Sequence, residues 1–195
     1  MRLTEHLSKK NIILASASPR RQMLLSSLGV EYQVIVKAID EVCPGDVLPS
    51  ALAECLAERK AMEFRDGELK GNDILITADT VVFLGDELIG KPEDEKDAIG
   101  MLMKLSGKMH TVYTGVCIRS NEKKVLFTDE TKVWFAHLTP DEIASYVHQC
   151  QPYDKAGSYG IQEWIGYAGV ERIEGSFFNV MGFPTHRVYR ELLRF

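Results

Sequence analysis

The sequence predicts an α/β or α+β domain built around a mixed β-sheet, and two observations lead to this fold class. In the first half of the chain, short apolar strands alternate with helices, as in folds whose strands are joined by helical crossovers. In the second half, two long strands at Thr111–Arg119 and Val125–Phe135 flank a polar turn at Ser120–Lys124, which predicts an antiparallel hairpin. A sheet that contains both arrangements is mixed.

Local signals define the elements of the first half. Ile12–Ala15 is an apolar strand, and the helix at Arg20–Leu28 begins with Ser18 as N-cap and Pro19 as first residue. Gly29 closes this helix at its C-terminus. The next elements are a strand at Tyr32–Val36, a helix at Ala51–Phe64 with Ser50 as its N-cap, and strands at Ile74–Thr77 and Thr80–Leu84 with Asp79 between them.

The second half also carries clear helix boundaries. A helix at Glu93–Leu105 ends near Gly107, and Thr139 with Glu142 forms a capping box that starts a helix through about Gln149. The remaining elements are a polar loop at Pro152–Gln162, a strand near Phe177–Val180, a turn at Gly182–Pro184 and a terminal helix.

Composition limits the class of protein. The 195 residues suffice for one substantial domain or two small lobes, and 45% apolar with 26% charged residues is typical of a soluble globular protein. The net charge of −5 argues against nonspecific binding of DNA or RNA, which needs broad positive potential. No apolar run reaches the length of a membrane span, and the N-terminus lacks the apolar core of a signal peptide. We therefore expect a cytoplasmic protein with no nucleic-acid or membrane partner.

The cysteines and histidines show no metal-binding pattern. The cysteines lie far apart without a CxxC pair, so neither a zinc site nor a disulfide framework is expected, and free thiols in a reducing cytoplasm are the simplest interpretation. The five histidines are scattered without an HExxH motif. The four cysteines are Cys43, Cys55, Cys117 and Cys150.

The turn after the first strand is suited to binding phosphate. Two hydroxyl residues, Ser16 and Ser18, precede Pro19, and Arg20 and Arg21 lie in the first turn of the helix. Unpaired N–H groups and the positive end of the helix dipole favour an anion at this position. Arginine there opposes the dipole, so helix stability does not explain these two residues. A solvated basic turn is the alternative; the hydroxyls and the preceding strand favour an anion site.

Lys60 lies in the middle of an apolar helical stripe. It follows Leu56 by four residues and precedes Phe64 by four, so the three positions share one face. A lysine on a core-facing side must extend to solvent, pair with an acid, or face a cleft that holds an anion. Extension to solvent is the ordinary outcome for such a lysine. The phosphate turn predicted earlier in the chain favours a cleft that holds an anion.

Carboxylates follow two apolar runs. Asp79 interrupts the stretch ILITADTVVFL, where a carboxylate is costly to bury unless it is paired or bound to metal; capping a turn is the common alternative. Asp40 and Glu41 follow the run after Tyr32 in the same way. In a protein with a phosphate site, such carboxylates indicate oxygen ligands for Mg²⁺ or Mn²⁺. Lys91, in a Gly-Lys-Pro sequence, adds a cation in a constrained loop.

The long loop at Asp154–Gln162 completes the candidate site. Loops of this length within compact domains are usually functional, and the Gln162 amide offers one acceptor and two donors to the edge of a nucleobase. The chain has no GxxxxGK[ST], no GxGxxG after its first strand and no GxSxG, which argues against P-loop, Rossmann and α/β-hydrolase sites. Phosphate binding, a divalent metal and a carboxylate base together indicate hydrolysis of a phosphoryl bond.

In their order along the chain, these motifs resemble those of Maf proteins, and the resemblance covers nearly the whole sequence. Maf proteins are nucleoside triphosphate pyrophosphatases that use a divalent cation. Their fold is a mixed sheet in two lobes around a central cleft, similar to the inosine triphosphatase fold. The resemblance implies that residues 1–195 form a single Maf-like domain with a nucleotide cleft between two lobes. The matching motifs are Ser16–Arg21, Ile39–Glu41, Lys60-Ala61, Ala78–Val82, Gly90–Pro92, Asp154–Gln162 and Asn179–Pro184.

The resemblance also implies roles for individual residues. The branch with SPRR, ADT and GIQ acts on dTTP and UTP; the branch acting on 7-methyl-GTP has tryptophan before the arginine and SDQ, neither of which occurs here. Ala17 and Phe183 depart from the usual glycine and leucine of the family. The candidate site then consists of Asp79 as proton acceptor; Arg20, Thr80 and Gln162 for substrate choice; Ser16, Ser18, Arg20, Arg21, Lys60 and Lys91 for phosphate; and Asp40, Glu41 and Asp79 for the metal.

The implied reaction is attack of a metal-ordered water on the α-phosphorus of dTTP, UTP or a modified pyrimidine triphosphate, with pyrophosphate leaving. Because a metal-bound carboxylate is a poorer base, the division between base and ligands stays open. Maf proteins are also associated with arrest of cell division, so a nucleotide-binding regulator of septum formation is the alternative. The charged residues favour the enzyme, because a sensor needs no base. A homodimer is compatible with the sequence.

Overall fold

A seven-stranded sheet forms the framework of the chain. The computed structural model describes residues 3–38, 43, 48–65 and 67–195. The strands are β1 (Asn11–Leu14), β2 (Tyr32–Val34), β3 (Asp73–Leu84), β4 (Glu87–Ile89), β5 (Met109–Arg119), β6 (Lys124–Phe135) and β7 (Val170–Glu174). Their order in the sheet is β2-β1-β3-β5-β6-β7, and β4 pairs with β3.

The sheet contains both parallel and antiparallel pairs, which confirms the predicted mixed α/β class. β1 is parallel to both of its neighbours, with Ile12 opposite Tyr32 of β2 and Ile74 of β3. β4 is antiparallel to β3, and β7 is antiparallel to β6. The helices are α1 (Leu3–His6), α2 (Pro19–Ser27), α3 (Pro49–Met62), α4 (Glu95–Leu105), α5 (Pro140–Cys150), α6 (Trp164–Ala168), α7 (Phe177–Val180) and α8 (Thr185–Leu192), with a 3₁₀ turn at Ala156–Ser158.

The chain divides into two compact units, residues 1–79, 114–129 and 182–195, and residues 80–113 and 130–181. In the first unit, α3 packs closely on the sheet. A Cβ on Gly115 of β5 would overlap the Ala53 carbonyl of α3, so a glycine is needed for this approach. The buried residues that join the helix to the strands are Ile13, Ala57, Ala61, Phe64, Leu69, Leu75 and Cys117.

The second unit has its own core. Apolar side chains of α4 and α5 are fully buried there, among them Leu102 and Ile143. His110, Phe135 and Tyr159 form an edge-to-face cluster with ring centroids 4.9–5.3 Å apart. Such arrangements are preferred by aromatic rings because the positive edge of one meets the negative face of another. The cluster holds the long loop, which carries Tyr159, against β5 and β6.

The prediction of two strands separated at Asp79 is wrong, because β3 runs continuously from Asp73 to Leu84. Two of its polar residues have partners in α3. Thr77 Oγ1 donates to the Ala57 carbonyl at 2.6 Å, and Asp79 forms an ion pair with Lys60. A strand can therefore carry these side chains without a break, which periodicity along one segment does not reveal.

Three other features of the secondary structure also differ from prediction. The predicted strand near Phe177–Val180 is helix α7, in which the Ser176 hydroxyl accepts from the Asn179 N–H at 3.3 Å and caps the helix. The last strand is instead β7, whose mostly exposed sequence VERIE lacks a strong apolar signal. α3 begins at Pro49, so Leu48 and not Ser50 occupies its N-cap. Proline at the first helical position sets this start.

The expectation that all four cysteines are free thiols is wrong for two of them. Cys43 and Cys55 form a disulfide, with their Cα atoms 6.4 Å apart, whereas Cys117 and Cys150 are free. This separation lies within the range that a disulfide can span. Across the described residues, no helix is both long and apolar enough to cross a membrane.

Candidate active site

The predicted phosphate turn forms between β1 and α2. Ser18 is the N-cap of α2, its hydroxyl accepting from the Arg21 N–H at 3.5 Å, and Pro19 is the first helical residue. The Ser18 N–H in turn donates to Ser16 Oγ at 3.3 Å. Arg20 lies half-buried in the first turn. The structure therefore brings together the hydroxyls, helix N-terminus and arginines that the sequence indicates.

Arg21 connects this turn to β3. Its Nε donates to the Gly182 carbonyl at 2.9 Å, and its Nη1 donates to the Ala78 carbonyl at 2.8 Å. A longer contact of 3.4 Å joins Nη1 to Ser16 Oγ. Because Ala78 immediately precedes Asp79, the guanidinium fixes the backbone beside the candidate base. A phosphate contact by Arg21 stays a prediction. The hydrogen bonds of Arg21 to the Ala78 and Gly182 carbonyls were not predicted from the sequence.

Asp79 and Lys60 form an ion pair. Their side chains are only 14% and 18% exposed, so Lys60 takes the second of the three outcomes open to it, pairing with an acid, and does not simply extend to solvent. One turn earlier on α3, Ala57 receives the Thr77 hydroxyl of β3, which sets the register of helix and strand. The pair places a cation and a carboxylate together in a partly desolvated position, where their interaction is strengthened.

Two predicted site loops meet within the second unit. The Gly157 N–H, in the long loop, donates to the carbonyl of Gly90 at 2.9 Å, next to Lys91. Gly157 has a φ of +74°, and a Cβ there would lie 3.3 Å from both methyl groups of Val82, so glycine suits this position doubly. Lys91 is exposed and Thr80 is half-buried, and their roles toward phosphate and base stay predictions.

A polar network supports the long loop, and none of its side chains was assigned a role in the predicted site. Lys155 is buried, with Nζ 2.8 Å from Asp154 Oδ1 and 3.2 Å from Glu163 Oε1. The Tyr146 hydroxyl donates to Glu163 Oε2 and accepts from the Gly160 N–H at 3.0 Å. Burial and the Glu163 contact raise the pKa of Tyr146. The adjacent acidic and basic residues Asp154 and Lys155 at the start of the loop are the sequence signal of this network.

His110 anchors the same loop from β5. Its Nε2 lies 2.7 Å from Tyr159 Oη, and both residues are buried. Burial lowers the pKa of His110 from 6.5 to about 4, because the apolar surroundings disfavour the imidazolium. Burial also raises the pKa of Tyr159. Both groups are therefore uncharged at ordinary pH, and the tautomer of the imidazole determines which of them donates the hydrogen bond.

We expect acid to destabilise the protein through His110. The unfolded chain takes up the proton at higher pH than the folded chain does, so stability is lost as pH falls from 6.5 toward 4. The loss due to this residue is about 2 kcal/mol between pH 7 and pH 5. Denaturant unfolding at both pH values measures it, and His110→Gln, which keeps a partner for Tyr159, is expected to lose less stability. An equal loss in both proteins would contradict the assignment.

The predicted metal ligands are only partly described. Asp40 and Glu41 lie outside the described residues, whereas Asp79 is described and paired with Lys60. Within residues 3–38, 43, 48–65 and 67–195, no group of three or more histidine, cysteine or acidic side chains is placed to hold a metal ion. Asp79 supplies one carboxylate of the kind that Mg²⁺ and Mn²⁺ prefer, so the metal site stays a prediction.

Comparison with known proteins agrees with the motifs. The family described as Maf-like protein matches residues 11–195. A protein of Bacteroides thetaiotaomicron named dTTP/UTP pyrophosphatase is 47% identical over 188 residues, 96% of this chain and 97% of its relative. A Porphyromonas gingivalis protein of the same name is 46% identical over 195 residues, 99% of this chain and 98% of the relative.

A solved structure supports the fold. The HAM1 protein from Coxiella burnetii superposes with a TM-score of 0.53 at 14% identity, over 95% of this chain and 100% of that one. This likeness bears on the architecture alone. The family match and the near-complete coverage of the relatives together show that the chain belongs to the Maf family.

Proposed function

We propose that the chain hydrolyses dTTP and UTP to the nucleoside monophosphate and pyrophosphate. The observation that carries the chemistry is the partly buried Asp79 carboxylate, paired with Lys60 and held beside a helix N-terminal turn bearing Ser16 and Arg20. The choice of substrates rests on the names of relatives 46–47% identical over nearly the whole chain.

Asp79 accepts the proton of the attacking water in this mechanism. The water oxygen forms a bond to the α-phosphorus, the bond from that phosphorus to the bridging oxygen breaks, and pyrophosphate leaves with the electron pair. Arg20, Lys60 and Lys91 neutralise the triphosphate and the charge that develops on the leaving group. Lys60 has a second role, because its ammonium orients the Asp79 carboxylate.

A divalent cation, Mg²⁺ or Mn²⁺, completes the proposal. Asp79 with Asp40 and Glu41 would hold it, and the ion would supply Lewis-acid stabilisation of the phosphate oxygens. We place the protein in the cytoplasm, where nucleoside triphosphates are made and used. Pyrophosphate release from dTTP, UTP, CTP, ATP and GTP, each with Mg²⁺ and with Mn²⁺, tests the proposal. Fastest release from dTTP and UTP supports it, whereas no release from either contradicts it.

Gln162 is expected to contribute to base selectivity. Phosphate contacts are common to all nucleotides, so choice must come from groups that meet the base edge. An unsatisfied buried polar group costs roughly 1–3 kcal/mol, which is about one to two decades in relative efficiency. Gln162→Ala should therefore reduce the difference in kcat/KM between UTP and the two nucleotides GTP and CTP, mainly by lowering kcat/KM for UTP. Gln149→Ala, an exposed glutamine on α5, is the matched control. Equal falls for all nucleotides would assign selectivity to Arg20 and Thr80 instead.

A further inference from the structure

The nitrogen of the Gln162 amide is hydrogen-bonded, whereas its oxygen, within the part of the chain that the structure describes, is not. Its Nε2 donates to Glu163 Oε1 at 3.4 Å. Its Oε1 is buried and has no hydrogen-bond partner among the described residues. The two ends of a glutamine amide exchange by a simple flip, so the neighbours decide which end faces which direction. A carboxylate only accepts hydrogen bonds, so it attracts the amide nitrogen and leaves the amide oxygen without a partner.

The Glu163 carboxylate is itself fixed from two sides. Lys155 Nζ lies 3.2 Å from Oε1, and the Tyr146 hydroxyl donates to Oε2. Lys155 is 9% exposed and Glu163 22% exposed on their side chains, so water competes weakly with these contacts. The ammonium and the hydroxyl both donate to the carboxylate, so each of its two oxygens is held by its own donor. Its orientation is therefore imposed by the fold and does not depend on a bound nucleotide.

Gly160 encloses the amide and the carboxylate from a third side. A Cβ at this position would lie 2.7 Å from Gln162 Nε2 and 2.7 Å from Glu163 Cδ. The amide and the carboxylate therefore occupy space that any side chain larger than that of glycine would need. The Gly160 N–H is also bonded to the Tyr146 hydroxyl at 3.0 Å, so the backbone on this side is fixed as well. The Gln162 amide group is accordingly held in place, and its remaining freedom is the flip that exchanges its oxygen and nitrogen.

We propose that Glu163 is a specificity-determining positioning residue, which orients the Gln162 amide so that its oxygen accepts the N3–H of uracil or thymine. The inference rests on the proposed function, because it assumes that Gln162 meets the base. Uracil and thymine carry a donor at N3, whereas cytosine carries an acceptor there. An amide oxygen facing N3 bonds the first two and is repelled by the third. Glu163 thereby selects against cytidine nucleotides without touching the base.

Two predictions separate this role from simple support of the loop. In Glu163→Gln the new amide presents either a donor or an acceptor to Gln162, so Gln162 is free to flip, while Asp154 still pairs with Lys155 at 2.8 Å. We expect the ratio of kcat/KM for UTP over CTP to fall roughly ten- to hundredfold. Tyr146→Phe removes the hydrogen bond to the other carboxylate oxygen and the one from the Gly160 N–H, whereas Lys155 still holds the oxygen that contacts Gln162. It should therefore lower stability, and this ratio should change much less than in Glu163→Gln.

The experiment measures kcat/KM for UTP, dTTP, CTP and N3-methyl-UTP with the wild type, Glu163→Gln and Tyr146→Phe, together with their melting temperatures. We expect the wild type to discriminate against CTP and against N3-methyl-UTP, which lacks the N3 donor. The comparison of UTP with N3-methyl-UTP uses the wild-type protein, so it does not depend on whether a variant folds. Equal turnover of UTP and N3-methyl-UTP overturns the inference, as does an unchanged UTP/CTP ratio in folded Glu163→Gln. Wild-type protein that cleaves neither UTP nor dTTP overturns the proposed function, and this inference with it.

Discussion

Asp79→Asn is expected to fold normally and to release pyrophosphate from UTP about 10²- to 10⁴-fold more slowly than the wild type. The substitution is nearly isosteric but replaces the basic carboxylate with an amide that does not take up the proton of the attacking water. It also weakens the interaction with Lys60 and any metal contact of this side chain. Steady-state rates with UTP and dTTP, together with a circular dichroism spectrum and a melting curve, measure the effect.

Asp86→Asn provides the matched control for this substitution. Asp86 is exposed in the turn that follows β3, so the same chemical change there should leave both rate and melting temperature unchanged. A folded Asp79→Asn protein that releases pyrophosphate at nearly the wild-type rate would contradict the assignment of Asp79 as proton acceptor.

Lys60→Met is expected to lower kcat/KM for UTP about 10- to 100-fold, the cost of one charge-assisted hydrogen bond. Methionine keeps the apolar stem of the lysine but removes the ammonium that pairs with Asp79 and that we propose neutralises phosphate. Sequence reasoning alone predicts unchanged or higher thermal stability for this variant. The ion pair reverses that expectation, because removing one partner leaves the partly buried Asp79 without this cation. We expect a loss of about 1–3 kcal/mol in the free energy of unfolding, the cost of leaving a partly buried polar group without its partner.

Two further proteins make the Lys60 prediction specific. Lys124→Met removes a lysine from an exposed ion pair with Glu58 in the same unit, where the side chains are 48% and 34% exposed, and should change neither rate nor stability appreciably. The double variant Lys60→Met with Asp79→Asn should regain part of the stability lost in Lys60→Met, since neither charge remains. Unchanged catalytic efficiency in Lys60→Met would show that this lysine only packs.

The sequence predicted features whose causes lie within a few residues. Ser18, Pro19 and the capping box at Thr139 with Glu142 give correct helix starts, because each cap bonds a backbone N–H two or three positions away. The hydrogen-bonded turn between β1 and α2 was predictable for the same reason, and its binding of phosphate stays a prediction. The mixed sheet also follows from element order, since alternation and a hairpin are visible along the chain.

Features that depend on distant partners could not be predicted in this way. Asp79 remains within a strand because Lys60, nineteen residues away, neutralises it. Arg21 bonds carbonyls at Ala78 and Gly182, 57 and 161 residues away. The carboxylate of Glu163 was not singled out, because its significance comes from Lys155 and Tyr146 beside it and not from a spacing in the sequence.

The most direct test of the account is the position of the bond that is broken. UTP is hydrolysed by the wild-type protein in water enriched in ¹⁸O, and the products are separated and analysed by mass spectrometry. Attack on the α-phosphorus places the label in UMP and leaves the pyrophosphate unlabelled, and Asp79→Asn should give neither product at a comparable rate. Formation of UDP and inorganic phosphate, or ¹⁸O recovered in the pyrophosphate, would contradict the proposed reaction.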